Sequence, residues 1–189
     1  MEAAEPCRGG ERLDHSVEPL IAEADLKQKV TELARRISAD YAGKSLLVVG
    51  VLKGAFVFCA DLLRQFQGVD AQVDFIASSS YGAATESSGA VKILKDLDTA
   101  VEGRHVLLVE DIVDTGLTLR YLRDHIERQQ PASVRICVLL DKPSRRQVDV
   151  PVDYVGFEIP DEFVVGYGID WAERYRYLPY IGVVRFKGG

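Results

Sequence analysis

The chain predicts an open, mostly parallel α/β sheet, on three observations. Apolar runs of strand length recur at residues 46–52, 106–109 and, broken only by Arg135, 134–140, and such runs suit strands buried on both faces. Amphipathic helical stretches alternate with these runs. The loops after Leu52, Val109 and Leu140 carry lysine, glycine, carboxylates and threonine, and ligands bind such sheets at the carboxyl ends of the strands.

The elements follow in order. Leu26, Val30, Leu33, Ile37 and Tyr41 recur at steps of four and three and mark one face of a helix that Gly43 ends. The strand at 46–52 leads to a helix over about 55–66, then to a strand at 72–77. Residues 78–89 are rich in Ser, Gly and Ala without periodicity, which predicts a long loop, of the kind that often serves as a lid. A short strand at 91–94 closes that excursion as a ribbon. After the strand at 106–109, residues 110–116 read as a loop. The helix over 117–129 presents Leu119, Leu122 and Ile126. Strands at 134–140 and 154–159 complete the sheet.

The 189 residues fit one domain, and 47% hydrophobic content supports a buried core. A net charge of -6 argues against general nucleic-acid binding. Cys7, Cys59 and Cys137 have no metal-like pairing; the last two lie in apolar runs and read as reduced core residues, which points to a cytoplasmic protein. No apolar run approaches the ~18–20 residues of a membrane span. Residues 1–12 read as a loose tail without a signal-peptide core, and 13–189 as the domain.

The chemistry concentrates at residues 109–118. Glu110 and Asp111 follow a buried strand, Asp114 comes three residues later, and Thr115, Gly116, Leu117 and Thr118 open a helix. Free amides at a helix start and threonine hydroxyls suit a phosphate. Carboxylates beside a phosphate would repel it, so the acids suit sugar hydroxyls or a magnesium ion. The same composition fits a plain acidic turn before a helix. It is neither a Walker loop nor a dinucleotide-binding glycine loop.

Residues 109–118, with the acidic pair followed by Ile112, Val113, Asp114, Thr115 and Gly116, resemble the signature of type I phosphoribosyltransferases, and in particular their hypoxanthine-guanine branch. Three further stretches fall in the family's order. Leu52, Lys53 and Gly54 match a pyrophosphate-binding triplet that often contains a non-proline cis peptide. Ser80 and Tyr81 match a lid at the start of the 78–90 loop. Lys142, Phe163, Val164 and Asp170 match the purine site, within a hood formed by the N-terminal segment and about 160–185. Each is ambiguous alone: a lysine before a helix, an ordinary loop, a surface lysine, a core phenylalanine. The likeness spans about residues 17–184, and the stretch from Tyr175 to Gly182 resembles bacterial members. Leu117 stands where some relatives have lysine, and Trp171 where some have tyrosine.

The resemblance implies a Rossmann-like type I phosphoribosyltransferase fold and a Mg2+-dependent transfer. 5-phosphoribosyl 1-diphosphate and hypoxanthine or guanine would give IMP or GMP and pyrophosphate. Glu110 and Asp111 would hold the ribose hydroxyls, directly or through magnesium, and Asp170 a second magnesium. Asp114, near the purine N7, would be the proton-transfer group; residues 112–118 would cradle the 5′-phosphate, and Arg176 would reach the pyrophosphate. The resemblance also implies a homodimer or homotetramer. Other readings are a xanthine-preferring enzyme, a non-catalytic nucleotide binder, and an RNA-binding regulator of pyrimidine genes on the same fold. The acidic balance and Lys142 oppose the regulator.

Overall fold

A computed structural model describes residues 15–80 and 91–186. Six strands form the main sheet in the order β4-β3-β2-β5-β6-β7. They are β2 (Ser45–Leu52), β3 (Asp70–Ser80), β4 (Val91–Lys95), β5 (His105–Val113), β6 (Ser133–Asp141) and β7 (Tyr154–Glu158). All neighbours pair in parallel except β4, which lies antiparallel on the β3 edge. Val106, Leu107, Leu108 and Val109 are fully buried, as are Leu46, Leu47, Val48 and Val49. That two-sided burial is what the continuous apolar runs predicted.

Two helices cover one face of the sheet. In α1 (Glu23–Asp40), Leu26, Val30, Leu33 and Ile37 are buried on one stripe, and α2 (Phe56–Leu63) adds Phe58, Cys59 and Leu62 to the same core. On the opposite face α3 (Leu117–Glu127) packs Leu119, Leu122 and Ile126 against Leu108, Ile136 and Val138. A three-stranded antiparallel sheet, β1 (His15–Ile21), β9 (Ile181–Phe186) and β8 (Val164–Val165), buries Val164, Ile181 and Val183 in the first core. No helix among the described residues is long and apolar enough to cross a membrane.

Strand β2 pairs with β3 on one side and β5 on the other, with Gly50 opposite Val109. The connection through α2 leaves over one face and that through α3 over the other. The carboxyl ends of β2 and β5 therefore flank the point where the winding reverses, and the crevice opens there.

Two expectations are corrected. Residues 110–113 belong to strand β5, not to the loop, because Glu110, Ile112 and Val113 continue the register with Val138, Leu140 and Asp141 of β6. Ladder bonds to β6 override the polar composition. Likewise residues 78–80 extend β3, held by Lys92, Ile93 and Val91 of the edge strand. The rest of the expected lid, including Tyr81, lies outside the described residues, as does the expected tail at 1–12. The helices at 56–63 and 117–127 are shorter than their apolar patterns suggested. Strands β1 and β9 carry weaker sequence signals, since β9 buries four successive residues and then exposes two, and its partner β1 lies at the other end of the chain.

Gly156 tests the β6–β7 layer. A Cβ there would lie 2.4 Å from the Leu139 carbonyl oxygen. Overpacking against backbone costs about 1–3 kcal/mol. Gly156→Ala should lower the urea midpoint by a corresponding amount with an unchanged slope, and an unaltered midpoint would show that β7 yields freely.

Candidate active site

The loop after β5 is shaped by backbone bonds. The amides of Gln147 and Val148 both donate to the Thr115 carbonyl, and Arg120 donates to that of Gly116. Gly116 has φ +85°, and a Cβ there would lie 3.0 Å from the Val148 carbonyl oxygen, so glycine suits the turn on both counts. Among the described residues, no backbone acceptor engages the amides of Asp114, Thr115 and Gly116. With the open first turn of α3 they face a cavity of about 100 Å³ lined by Glu110, residues 112–116, Thr118 and Leu119. Unengaged amides at a helix start form an anion site.

The acidic pair sits at the floor. Successive strand residues point to opposite faces: Glu110 lines the α3 cavity, while Asp111 lies against Gly54, where a Cβ would come within 1.9 Å of its Oδ2. Both are 8% exposed. Among the described residues, their side chains accept hydrogen bonds from the adjacent Asp111 and Ile112 amides. Burial, then the neighbouring Asp111, pushes the Glu110 carboxyl well above its usual range. Burial also raises Asp111, against the pull of hydrogen bonds and of Arg176.

Two buried hard-oxygen ligands without a cationic hydrogen-bond partner are costly in isolation. They suit magnesium, which takes one or two carboxylates and completes its shell with water and substrate oxygens. Asp170 stands apart from this pair. It forms an ion pair with Arg176 at 2.8 Å and accepts the Glu173 amide at 2.8 Å. No group of three or more His, Cys, Asp or Glu side chains among the described residues is gathered for a metal.

Across the crevice the Leu52–Lys53 peptide is cis. Gly54 is wedged between Asp111 and Gly168, since a Cβ on Gly168 would meet the Gly54 carbonyl at 2.2 Å. Arg176 donates to the Gly168 carbonyl at 2.8 Å. Its Nε is buried without an acceptor among the described residues. Lys53, Gly54, Asp170 and Arg176 therefore share one rim of the site, above Asp111 on the floor, although Lys53 and Arg176 lie far apart in the sequence.

Lys142 closes the opposite rim. It is 7% exposed, its amide donates to the Val113 carbonyl, and its ammonium donates to the Glu162 carbonyl at 2.6 Å. Phe163 is half-exposed, its ring edge-on to Trp171 at 6.4 Å. Behind it His15 and Phe186 contact Trp171 edge-on, and His15 shares a 2.6 Å hydrogen bond with Tyr175. Val164 is buried in β8. Ser80 is placed by its backbone at the end of β3.

Three contacts have little signal in the sequence. Arg145 pairs with Asp114 at 3.2 Å and approaches Asp161 at 3.7 Å. His15 braces the aromatic group from the N-terminal strand. Glu173 bridges Lys53 and Arg176, which hold its carboxyl below the usual range, Lys53 the more strongly. Only the three-residue spacing of Glu173 and Arg176 hinted at any of them.

A sheet wound in both directions from β2, with an anion-binding helix start, an acidic pair and a cationic rim at its switch point, defines a nucleotide-type transferase site. Residues 17–171 match the phosphoribosyl transferase domain family, and the chain belongs to it. Its relatives place it with the hypoxanthine phosphoribosyltransferases. It is 53% identical over 174 residues to the hypoxanthine phosphoribosyltransferase of Salmonella typhimurium, spanning 91% of this chain and 97% of that one. It is 52% identical over 178 residues to the bifunctional protein TilS/HprT of Listeria innocua, of which it covers 27%. A hypoxanthine-guanine phosphoribosyltransferase crystal structure from Bacillus anthracis shares 50% identity at a TM-score of 0.84, covering 90% of this chain and 99% of that one. A Trypanosoma cruzi hypoxanthine phosphoribosyltransferase mutant, described as a ternary substrates complex, shares 43% identity at a TM-score of 0.83, covering 89% and 95%.

The raised Glu110 carboxyl has a stability consequence. A group whose pKa is higher folded than unfolded leaves the folded state binding more protons, so stability falls as pH rises from the unfolded value, 4.5, through the folded one. In chelator, Glu110→Gln should therefore be more stable than the parent at neutral pH, with the two converging below about pH 4. Unfolding midpoints across that range that stay parallel would remove the buried-charge account.

Proposed function

We propose that this purine-salvage enzyme joins a 6-oxopurine, hypoxanthine or guanine, to 5-phosphoribosyl 1-diphosphate, releasing IMP or GMP and pyrophosphate. The observation that carries the reading is the placement of three different binding chemistries around one crevice: open amides at 114–116, a buried acidic pair, and a cationic rim. The names of the relatives support hypoxanthine, and that of the Bacillus anthracis structure supports guanine.

Each group has a role in this reading. Residues 112–118 hold the 5′-phosphate through amides and threonine hydroxyls. Leu52, Lys53, Gly54 and Arg176 hold the diphosphate, with guanidinium and ammonium donors matched to its oxygens. Phe163 stacks on the base and Val164 presents backbone to its edge. Lys142 retains donors beyond its bond to Glu162 and points one at the purine O6. Adenine would meet that donor with another donor. Glu110 and Asp111 hold the ribose hydroxyls. Glu110 and Asp111 would hold one magnesium and Asp170 a second, and magnesium bound at these carboxylates would neutralise charge on the departing diphosphate. Ser80 and Tyr81 belong to a lid that excludes water from the reactive ribosyl carbon. That carbon passes through an oxocarbenium-like state.

Asp114 exchanges the proton at purine N7. Its carboxylate lies beside the phosphate cradle and, partly exposed, is held by Arg145. We read 13–189 as one domain whose three-stranded sheet is the hood, and the protein as a cytoplasmic homodimer or homotetramer.

General acid–base assistance contributes about 10²–10⁴-fold. Asp114→Asn should lower turnover by about that factor while IMP binding persists; unchanged turnover with labelled hypoxanthine would remove Asp114 from the role. Lys142→Gln should narrow the preference for hypoxanthine and guanine over adenine in competition assays. Retained selectivity would assign O6 recognition to another group. The same assays with xanthine test the base range, and titration with magnesium after chelation tests the metal requirement.

A further inference from the structure

We infer that Glu173 is a built-in competitor for the diphosphate: its carboxylate spans the cationic rim formed by Lys53 and Arg176 and has to leave before a diphosphate can enter. This rests on the assignment of Lys53 and Arg176 to the pyrophosphate end of the substrate. Both carboxylate oxygens of Glu173 lie 3.1 Å from the Lys53 ammonium, and one lies 3.2 Å from an Arg176 guanidinium nitrogen. Among the described residues, Lys53 has no other acceptor. The two cations come from distant parts of the chain, one after β2 and one before β9. Glu173 is the anion that joins them, much as a bound diphosphate would.

The contact is built to be displaced. The side chains of Lys53 and Glu173 are each 64% exposed, and exposed ion pairs are weak and screened. The backbone is held in place instead: Glu173 has φ +62°, and its amide is fixed at 2.8 Å from Asp170. The carboxylate can swing out while its root stays beside the rim. Ligand affinity then scales with the fraction of molecules whose rim is free. The same carboxylate, re-entering, favours departure of pyrophosphate. Glu173 never touches the reacting carbon in this account; it sets the occupancy of the leaving-group site.

The test uses the full chain with magnesium and inorganic pyrophosphate as the probe, titrated calorimetrically into the parent, Glu173→Gln, Glu173→Asp, Lys53→Met and the Lys53→Met/Glu173→Gln pair. Glu173→Gln should bind pyrophosphate about two- to fivefold more tightly. It should lower the KM for the phosphoribosyl donor by a similar factor, with the KM for hypoxanthine unmoved. Glu173→Asp, which keeps the charge, should stay closer to the parent. The gain should shrink in the Lys53→Met background. If Lys53→Met weakens pyrophosphate binding while Glu173→Gln binds equally or less well than the parent, the competitor role is overturned and the diphosphate site stands. If Lys53→Met leaves pyrophosphate affinity unchanged, the site assignment itself fails, and the competitor role with it.

Discussion

The parallel pairing of β2 with β5, which sets Gly50 opposite Val109, is the constraint on which the site depends. Because β2 lies at the reversal of the winding, the chain leaves its end toward one face and leaves the end of β5 toward the other. Among the described residues no helix covers the gap between α2 and α3. The main chain after each strand is therefore available to a ligand, and the two segments are rigidly spaced by ladder hydrogen bonds. A slip of one residue would turn every side chain of β5 to the opposite face, exchanging Glu110 and Asp111 between the α3 cavity and Gly54.

Charge is distributed around this crevice in three separate parts. The floor holds two buried carboxylates whose proton affinity burial raises. One rim holds Lys53 and Arg176, bridged by Glu173; the other holds Lys142, Arg145 and the partly exposed Asp114. A ligand that is a polyanion with sugar hydroxyls and a flat base meets a partner at each position. The glycines make the close approach possible. At Gly54 and Gly168 a single added carbon would collide with Asp111 or with the Gly54 carbonyl, so these positions trade side chains for proximity between the two halves of the site.

Legibility in the sequence followed the range of the interactions. The buried strands were legible because burial on both faces leaves continuous apolar runs, and α1 and α3 because one buried stripe leaves a helical period. The site stretches were legible because their chemistry is local: Glu110 to Thr118 is one turn and the residues that flank it. The end of β5 reads as loop in the sequence because Glu110 and Asp111 interrupt the apolar run, until β6 supplies the hydrogen-bonding partners of residues 110–113. The strands of the small sheet were harder still, for β1 and β9 pair from opposite ends of the chain. Arg145, His15 and Glu173 escaped notice because ion pairs and ring contacts between distant residues leave no periodic trace.

What the sequence determined by itself is therefore the α/β class, the buried strands and the family-like stretches, all of which arise from neighbours along the chain. What only the tertiary structure decided is how those stretches meet: Asp111 against Gly54, Asp170 paired to Arg176 instead of gathered with Glu110, and Glu173 spanning Lys53 and Arg176. The physical reason is that a side chain's charge is written in the sequence, whereas its energy depends on burial and on the partners that folding brings within a few ångströms.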